Sequence, residues 1–280
     1  MGGISQAILI TGCSTGIGRA TAQRLARNGW NVYATARRLE AVADLEGCHP
    51  LALDVTDEAS MAAAVETIED KEGAVGVLVN NAGINELGAI ETVTIDNVRR
   101  LFETNVFGAV RLTQLVLPKM RAQHWGRIVN VGSMNGRFTW PGMGHYCATK
   151  HALEAISDAL RHELRPFGID VALIEAGFVK THFGNAAAER LAPDRDGPYA
   201  AYNAEIAHTA ATWQEGPNAR LAADPEDVAE TIEKAIRAVG RPRARYRVAP
   251  SATIMLATRK LLPDSAFDAF MRTQFPSPKG

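Results

Sequence analysis

The sequence predicts an α/β fold: a doubly wound parallel sheet, covered by helices on both faces, in one domain of 280 residues. Three observations support this prediction. Short apolar runs alternate along the chain with longer segments of helical period. The short runs are apolar at nearly every position, which is typical of parallel strands buried on both faces. The composition, with 46% hydrophobic and 22% charged residues, is that of an ordinary globular protein.

The elements follow one another as strand–helix units. The first unit is the run AILI at residues 7–10, followed by a helix over 17–28 that Gly29 ends. Further apolar runs predict strands at 31–35, 50–53, 77–80, 127–131, 169–174 and 246–249. Segments of helical period predict helices at 57–72, 97–122, 144–166 and 225–239. Units of this length predict a Rossmann-type three-layer sandwich.

Residues 182–224, here called the lid segment, break this alternation. They mix alanine, proline, glycine and aromatic residues, and no strand pattern occurs among them. We therefore expect this segment to be an insertion that covers a ligand site.

Charge and cysteine content exclude several classes of function. A net charge of −1 gives no reason to expect a nucleic acid or an anionic membrane as partner, and the basic stretch 241–247 is interpreted as a solvated loop and edge strand. Three cysteines indicate no disulfide framework, and no residues have metal-ligand spacing. No segment is long and apolar enough to span a bilayer, so a cytoplasmic protein is the expectation.

A glycine-rich turn joins the first strand to the first helix. The turn reads Thr-Gly-Cys-Ser-Thr-Gly-Ile-Gly, with glycines at Gly12, Gly16 and Gly18. Glycine permits a tight turn and a close approach of the backbone to a pyrophosphate, which the N-terminus of the following helix attracts. We therefore predict a dinucleotide site here. The alternative is a glycine-rich turn that binds nothing.

The end of the second strand indicates which dinucleotide binds. An acidic residue there would hold the ribose 2′-hydroxyl of NAD, whereas arginine accommodates the 2′-phosphate of NADP. The sequence has Ala36 at the acidic position, followed by Arg37 and Arg38, and Ser14 and Thr15 add hydroxyls nearby. This pattern predicts NADP. The alternative is that the two arginines only begin a solvated helix.

Three residues carry the predicted chemistry. Tyr146 and Lys150 lie four apart in a helical segment, so their side chains share one face, and Ser133 ends a predicted strand. Bringing a tyrosine pKa from about 10 to about 7 takes about 4 kcal/mol. An ammonium one helical turn away, helped by an adjacent nicotinamide ring that is positive when oxidised, can supply a contribution of that order. Ser133 is expected to hydrogen-bond the substrate oxygen. Taken singly, each residue also has an ordinary structural interpretation.

The glycine turn, Asn80-Asn81-Ala82-Gly83, Ser133 and Tyr146-x3-Lys150, in this order, resemble the short-chain dehydrogenase/reductase family in its single-domain branch. The resemblance implies that Tyr146 exchanges a proton with the substrate and that Lys150 also binds the ribose. It implies that Asn105 links Lys150 to a water relay and that Asp54 reaches the adenine edge. The further cofactor contacts that it implies come from Ile17, Val55, Asn81, Ala82, Gly83, Gly177, Val179 and Thr181. One departure is Ala176, where the family usually has proline, and this puts the rigidity of that loop in doubt.

The glycine turn together with Tyr-Ala-Thr-Ala-Arg-Arg resembles the branch of 17β-type hydroxysteroid and retinol dehydrogenases. Aromatic residues of the lid segment (Phe183, Tyr199, Tyr202 and Trp213), with Phe138, Trp140 and Met143, suit a bulky apolar ketone, aldehyde or alcohol. Arg195 and Arg220 would argue against this substrate class if they turned inward.

The sequence therefore predicts an NADP(H)-dependent oxidoreductase. The alternatives are an NAD-dependent dehydrogenase with the same four residues and a catalytically idle NADP-sensing regulator. The family also implies a homodimer or homotetramer built through helices 97–122 and 144–166. The first of these helices carries more apolar residues than one core-facing stripe needs: Val98, Leu101, Phe102, Val106, Leu112, Leu115 and Val116.

Overall fold

The computed structural model describes residues 3–189, 191 and 197–274. Seven parallel strands form one sheet in the order β3-β2-β1-β4-β5-β6-β7. The strands are β1 (Ile8–Ile10), β2 (Val32–Ala36), β3 (Cys48–Ala52), β4 (Val77–Asn80), β5 (Gly126–Val131), β6 (Ile169–Ala176) and β7 (Arg245–Val248). The predicted parallel sheet is confirmed.

Helices cover both faces of the sheet. They are α1 (Gly16–Arg27), α2 (Glu58–Glu72), α3 (Ile95–Phe102), α4 (Gly108–Ala122), α5 (Gly144–Glu163), α6 (Phe183–Ala188), α7 (Ala200–Thr212), α8 (Pro225–Ile236), α9 (Pro250–Leu261) and α10 (Asp264–Gln274). A π-helical turn, Glu103–Phe107, joins α3 to α4. Short 3₁₀ turns occur at Leu39–Ala41, Met134–Gly136, Arg165–Phe167, Trp213–Glu215 and Pro217–Leu221.

The alternation of side chains along β1 shows why both faces need helices. Ile8 and Ile10 pack with residues of α1 and α8, whereas Leu9 packs with residues of α2 and α4, and all three are fully buried. Successive residues of a strand point to opposite faces, so a strand that is apolar throughout must be covered twice. This is the doubly wound arrangement that the sequence predicts.

The structure differs from the sequence-based predictions in three places. The predicted helix 97–122 begins at Ile95 and is interrupted by the π turn. The lid segment contains helices α6 and α7, and α9 and α10 follow the last strand without having been predicted. Residues 190 and 192–196 of the lid segment, Arg195 included, lie outside the described residues.

The sheet order places the candidate site. The chain runs outward from β1 through β2 to β3 and then returns to β4 on the other side of β1. At such a switch point the loops leave β1 and β4 in opposite directions, which opens a crevice at the carboxyl ends of the strands. The glycine turn, Asn81, Ser133 and Gly177 follow the ends of β1, β4, β5 and β6 at this edge.

Candidate active site

The glycine turn is shaped by close backbone packing. A side chain at Gly18 would place its Cβ 2.4 Å from the carbonyl oxygen of Gly12, and Gly16 has a φ of +58°. Helix α1 begins at Gly16, and in the described chain Thr15 makes no side-chain cap to its first turn. The N–H groups of that turn are therefore available to an anion, as a pyrophosphate site requires. Ser14 and Thr15 are exposed beside them.

Asn81, which directly follows β4, stabilises this turn through hydrogen bonds. Its Nδ2 donates to the carbonyl oxygens of Thr11 (2.8 Å) and Gly12 (3.1 Å). In return, Thr11 Oγ1 accepts hydrogen bonds from the backbone N–H groups of Asn81 and Ala82, each at 2.9 Å. The Asn81 side chain therefore holds the glycine turn and the segment through Gly83 together, a positioning contact that the sequence did not reveal.

The end of β2 presents two arginines. Ala36 is 6% exposed, while Arg37 and Arg38 are exposed. Within the described residues, neither guanidinium is hydrogen-bonded or paired with a carboxylate. Both guanidinium groups are therefore available to bind an anionic ligand at this end of the strand.

Asp54 and Val55 lie just beyond β3. Asp54 Oδ1 accepts hydrogen bonds from the N–H and the hydroxyl of Thr56, at 2.9 and 2.8 Å. The N-cap of α2 is Asp57, whose carboxylate accepts from the first helical turn. The Asp54 carboxylate is therefore not the cap of α2. Val55 is buried against Gly108 at the start of α4.

Ser133, Tyr146 and Lys150 are brought together at the ends of β5 and α5. Their exposures are 9%, 7% and 7%. The phenol of Tyr146 is within hydrogen-bond reach of Ser133, whose Oγ also accepts from the backbone N–H of Asn135 at 3.1 Å. Lys150 Nζ donates to the carbonyl oxygen of Val131 (3.0 Å) and lies 5.7 Å from the centre of the Tyr146 ring.

Burial dominates the ionisation of this group of residues. It raises the pKa of Tyr146, with a smaller contribution from Cys147, while the hydrogen bond with Ser133 opposes the rise. It lowers the pKa of Lys150 to about 8. Desolvation has the largest effect on both pKa values, because it disfavours both charged forms in so buried a site. The lowering of the tyrosine pKa by Lys150 together with an oxidised nicotinamide ring stays a prediction.

Asn105 owes its orientation to the π turn. It is 3% exposed, and its Nδ2 donates to the carbonyl oxygen of Ile84 (2.9 Å) and to Thr149 Oγ1 (3.1 Å). Its Oδ1 accepts from the N–H of Ile84 at 2.8 Å. Thr149 Oγ1 donates in turn to the carbonyl oxygen of Tyr146 at 2.7 Å. Asn105 thus ties the segment after β4 to the helix that carries Tyr146 and Lys150.

The loop after β6 reaches the glycine turn. The methyl group of Thr181 lies 3.3 Å from where a Cβ at Gly16 would be. The loop is held at its base because the N–H of Gly177 donates to Val248 and Val179 bridges to Ala223. These contacts fix the loop, although Ala176 stands in the place of proline.

Aromatic side chains form a layer beside Tyr146. Phe178 stacks between Trp140 and Trp213, with ring centres 6.2 and 5.2 Å away. Phe183 meets the Tyr146 ring edge to face at 5.8 Å. Phe178 follows directly on Gly177 in the predicted cofactor loop, but the sequence did not predict that its side chain belongs to this aromatic layer.

Tyr202 has a different environment from the one expected. It is 7% exposed and packs with Leu87, Ala89 and Ile206. Its neighbour Asn203 binds the same loop, accepting from the N–H of Ala89 at 2.9 Å and donating to Thr92 Oγ1 at 3.1 Å. These two residues therefore fasten helix α7 of the lid segment to the loop after β4.

The described chain has neither a metal-ligand cluster nor a helix that could span a membrane. Over the described ranges, no three or more His, Cys, Asp or Glu side chains are grouped as metal ligands would be. In that same part of the chain, no helix combines the length and apolar character that a membrane span requires.

The fold and this site define an oxidoreductase of the short-chain dehydrogenase class. The sequence profile of the family described as short chain dehydrogenase matches residues 6–192, so the chain belongs to this family.

Characterised relatives extend over nearly the whole chain. Estradiol 17-beta-dehydrogenase 1 of Rattus norvegicus is 37% identical, over 98% of this chain and 78% of that protein. NADPH-dependent 3-dehydrocapnine reductase of Ornithobacterium rhinotracheale is 35% identical, over 93% of this chain and 94% of that protein. The crystal structure of a short-chain dehydrogenase from Streptomyces avermitilis has a TM-score of 0.79 at 31% identity and covers 98% of both chains.

Proposed function

We propose that this protein is an NADP(H)-dependent oxidoreductase that interconverts a bulky apolar ketone or aldehyde and the corresponding alcohol. The observation that carries the proposal is the buried pair of Tyr146 and Ser133, with the Phe183 ring 5.8 Å from that of Tyr146. The dinucleotide, when bound, supplies or accepts the hydride.

The side chains of this protein do the proton chemistry. Tyr146 donates its phenolic proton to the substrate oxygen during reduction and takes it back during oxidation. The buried phenol is neutral, which is the form that reduction needs. Ser133 donates a hydrogen bond to the same oxygen and so polarises the carbonyl. Lys150 adds a cation beside the phenol, and Asn105 keeps the helix of both residues in place.

The preference for NADP rests on the end of β2. Arg37 and Arg38 are exposed next to Ala36, which stands where an acidic residue would hold the ribose hydroxyl of NAD. Guanidinium groups bind phosphate through paired, charge-assisted hydrogen bonds. The relative from Ornithobacterium rhinotracheale is named as NADPH-dependent, which agrees with this proposal.

The substrate class rests on the aromatic layer. Phe178, Trp213 and Phe183 are partly exposed or exposed at the edge of the site, so their rings offer apolar surface to a ligand. An apolar pocket with few polar anchors favours a bulky hydrophobic substrate. The relative from Rattus norvegicus is named for a steroid, which belongs to that class.

Two alternatives are tested by the same assay. An NAD-dependent dehydrogenase would show the same turnover with the opposite cofactor preference. An idle NADP-sensing regulator would bind NADPH without turning over any carbonyl, and the assembled Asn105, Ser133, Tyr146 and Lys150 argue against it.

The test is a turnover screen with NADPH and NADH against matched small and bulky ketones, and with NADP⁺ and NAD⁺ against the corresponding alcohols. We expect kcat/KM to be highest for NADPH with a bulky apolar carbonyl. Best turnover of small hydrophilic substrates would overturn the substrate class and leave the oxidoreductase activity standing.

Trp213→Ala tests the contribution of the aromatic layer independently of the rest of the site. It should raise KM for a bulky ketone by about 10-fold and leave a small ketone nearly unaffected, because only the large substrate reaches that wall. Tyr202→Ala is the matched control, since the Tyr202 side chain packs with Leu87, Ala89 and Ile206. Its effect should be the same for both ketones.

A further inference from the structure

Two buried carboxylates, with a third carboxylate and three arginines around them, form a cluster behind the active site. It consists of Glu154 on α5, Glu175 near the end of β6, Arg245 and Arg247 on β7, Asp158 on α5 and Arg137 after the 3₁₀ turn Met134–Gly136. The side chains of Glu154 and Glu175 are 9% and 1% exposed. None of these residues has a role in the proposed proton chemistry.

The cluster connects three segments that carry the active site. Glu154 follows Lys150 by one helical turn, and Arg137 follows Ser133 by four residues. Glu175 lies two residues before Gly177, at the start of the loop that reaches the glycine turn. A displacement of any member of the cluster would therefore move one of these segments relative to the others.

Arg137 joins the turn Ser133–Arg137, here called the serine turn, to the other residues of the cluster. Its Nη1 lies 3.8 Å from Glu154 Oε2 and 3.6 Å from Glu175 Oε1, and about half of its side chain is exposed. The turn is also packed tightly on α5, since a Cβ at Gly136 would lie 2.9 Å from the carbonyl oxygen of Lys150 and 2.8 Å from Glu154 Cγ. Glycine at this position lets the turn rest directly on the helix.

The carboxylates are held mainly by β7. Arg245 Nε donates to Glu154 Oε2 at 2.8 Å and its Nη2 to Asp158 at 2.7 Å, while Arg247 Nε donates to Glu175 Oε2 at 3.3 Å. Within the described chain, Glu154 Oε1 and Glu175 Oε1 are buried and accept no hydrogen bond. One of these two oxygens, Glu175 Oε1, lies 3.6 Å from Arg137 Nη1 and 3.7 Å from Arg245 Nε, so these two cations share it.

We propose that Arg137, held by Glu154 and Glu175, is a positioning residue that sets Ser133 against the substrate oxygen. This inference rests on the proposed function. Arg137 acts through the turn Ser133–Arg137, and the two glutamates give it a buried anchor common to α5 and β6. A misplacement of about 1 Å at a reacting group costs up to about 100-fold in rate, so a loose serine turn would be visible in kcat.

The experiment compares Arg137→Ala, Arg137→Lys and the control Arg27→Ala, which removes an exposed arginine that pairs with Glu226. For Arg137→Ala we expect kcat with a bulky ketone to fall about 10-fold or more, while the Kd for NADPH stays within about twofold. Arg137→Lys should recover much of kcat because it keeps the charge. Arg27→Ala should match the wild type.

Hydrogen–deuterium exchange of the segment 132–141 tests the same idea without turnover. In Arg137→Ala, we expect this segment to exchange about fivefold faster or more, while exchange in β1 and α1 is unchanged. Equal exchange in the variant and the wild type overturns the proposal. So does a kcat within about twofold of the wild type, or an equal loss of kcat and NADPH affinity.

The two proposals fail in different ways. If the wild type and Arg27→Ala reduce no carbonyl, the proposed function is wrong, and the exchange measurement still decides the role of Arg137. If both are active and Arg137→Ala is equally active, only the positioning role is wrong. Glu175→Gln gives a second measurement, since it should lower kcat in the wild type and change little in the Arg137→Ala background.

Discussion

At the scale of single residues, the active site depends on burying groups that are costly to bury. Tyr146, Lys150 and Asn105 are all at most 7% exposed. Each has its polar atoms engaged by the protein: the phenol by Ser133, the ammonium by the Val131 carbonyl, and the amide by Ile84 and Thr149. Buried polar groups that are satisfied in this way are held in one orientation, as proton transfer requires.

Tyr146→Phe removes the proposed proton donor and leaves the ring. We expect kcat to fall by at least about 100-fold, because general acid–base catalysis contributes that order, and NADPH affinity to change little. Steady-state rates and a fluorescence titration of NADPH measure the two effects. Tyr202→Phe is the matched control, since Tyr202 is also 7% exposed and also loses one hydroxyl. A Tyr146→Phe variant that keeps a tenth of the wild-type kcat contradicts the proton-transfer role.

Lys150 links the active site to stability. Burial lowers its pKa from 10.5 to about 8, so between pH 8 and 10.5 the unfolded chain binds a proton that the folded protein has released. The free energy of unfolding therefore rises with pH in that window. Below pH 8, the burial of protonated Lys150 lowers the free energy of unfolding by its full amount, about 3 kcal/mol. Tyr146, with a raised pKa, has no such effect below pH 10.

The expected result concerns the difference in unfolding free energy between the wild type and Lys150→Met. From pH 7 to 9.5 that difference should move by about 2 kcal/mol in favour of the wild type. The hydrogen bond from Lys150 to Val131 is part of what sets the folded-state pKa, so its loss adds no separate contribution to this slope. Urea unfolding at several pH values measures it, with the exposed Lys234→Met as control. Parallel pH profiles for wild type and Lys150→Met would show that Lys150 keeps its ordinary pKa.

At the scale of elements, the strands and the ends of strands could be predicted from sequence, because apolar runs and glycine turns are local signals. The π turn at Glu103–Phe107 could not be predicted, because its residues also fit an ordinary helix. The wider turn is stabilised by hydrogen bonds from Asn105 to Ile84 and Thr149, which are distant in sequence. The cluster around Glu154 and Glu175 could not either, since its members meet only after β5, β6 and β7 have paired.

The two C-terminal helices, α9 and α10, have apolar residues at helical spacing, so they could have been predicted from the sequence. In α9, Ala252, Met255 and Leu256 are buried, and in α10 Phe267 and Met271 are buried, with apolar residues three and four apart. This is the spacing of an amphipathic helix. Both helices pack on Phe138 and Trp140, so they complete the wall on the aromatic side of the site.

The end of β2 yields the prediction on cofactor choice. Arg37→Asp should reverse or abolish the preference for NADP(H), since a charge-assisted phosphate contact contributes about 1.5–3 kcal/mol, or roughly 10- to 150-fold in affinity. The measurement is kcat/KM with NADPH and with NADH. Arg27→Asp makes the same change of charge at the C-terminal end of α1, the end away from the glycine turn. It should leave the ratio of kcat/KM for NADPH and NADH unchanged. Equal efficiency of the two cofactors in the wild type would show that Arg37 and Arg38 do not contact the 2′ position.

At the scale of the whole molecule, the apolar surface of the subunit bears on assembly. Of the residues first assigned to an oligomer interface, Leu101, Val106, Leu112 and Val116 are instead buried within the subunit. Leu112 and Val116 pack with strand residues, and Leu101 packs with Tyr146 and Cys147 of α5, which explains most of the apolar excess of this segment. Exposed apolar surface comes from other positions, Ile95 at 61% and Phe107 at 52%, with the Phe102 ring 6.4 Å from that of Phe107.

The neighbouring helix has a complementary character. On α5, the residues Ala148, Ala155 and Ala159 are exposed. Small side chains let two helices approach closely, and large exposed aromatic groups on a soluble protein often mark a contact surface. We therefore predict that two copies pair through α5 and the segment Ile95–Ala122, with Phe107 inside the interface.

Phe107→Asp tests this pairing, because it places a charge where the partner would otherwise cover an aromatic ring. An unpaired charge buried at an interface should weaken the association by at least about 10-fold. Light scattering over a range of micromolar concentrations should therefore show a homodimer or homotetramer for the wild type and a smaller species for Phe107→Asp. Leu261→Asp is the control, since Leu261 is 80% exposed on α9 and should not change the mass. A monomeric mass for the wild type at these concentrations would refute the pairing, and loss of assembly in Leu261→Asp alone would move the interface to the C-terminal helices.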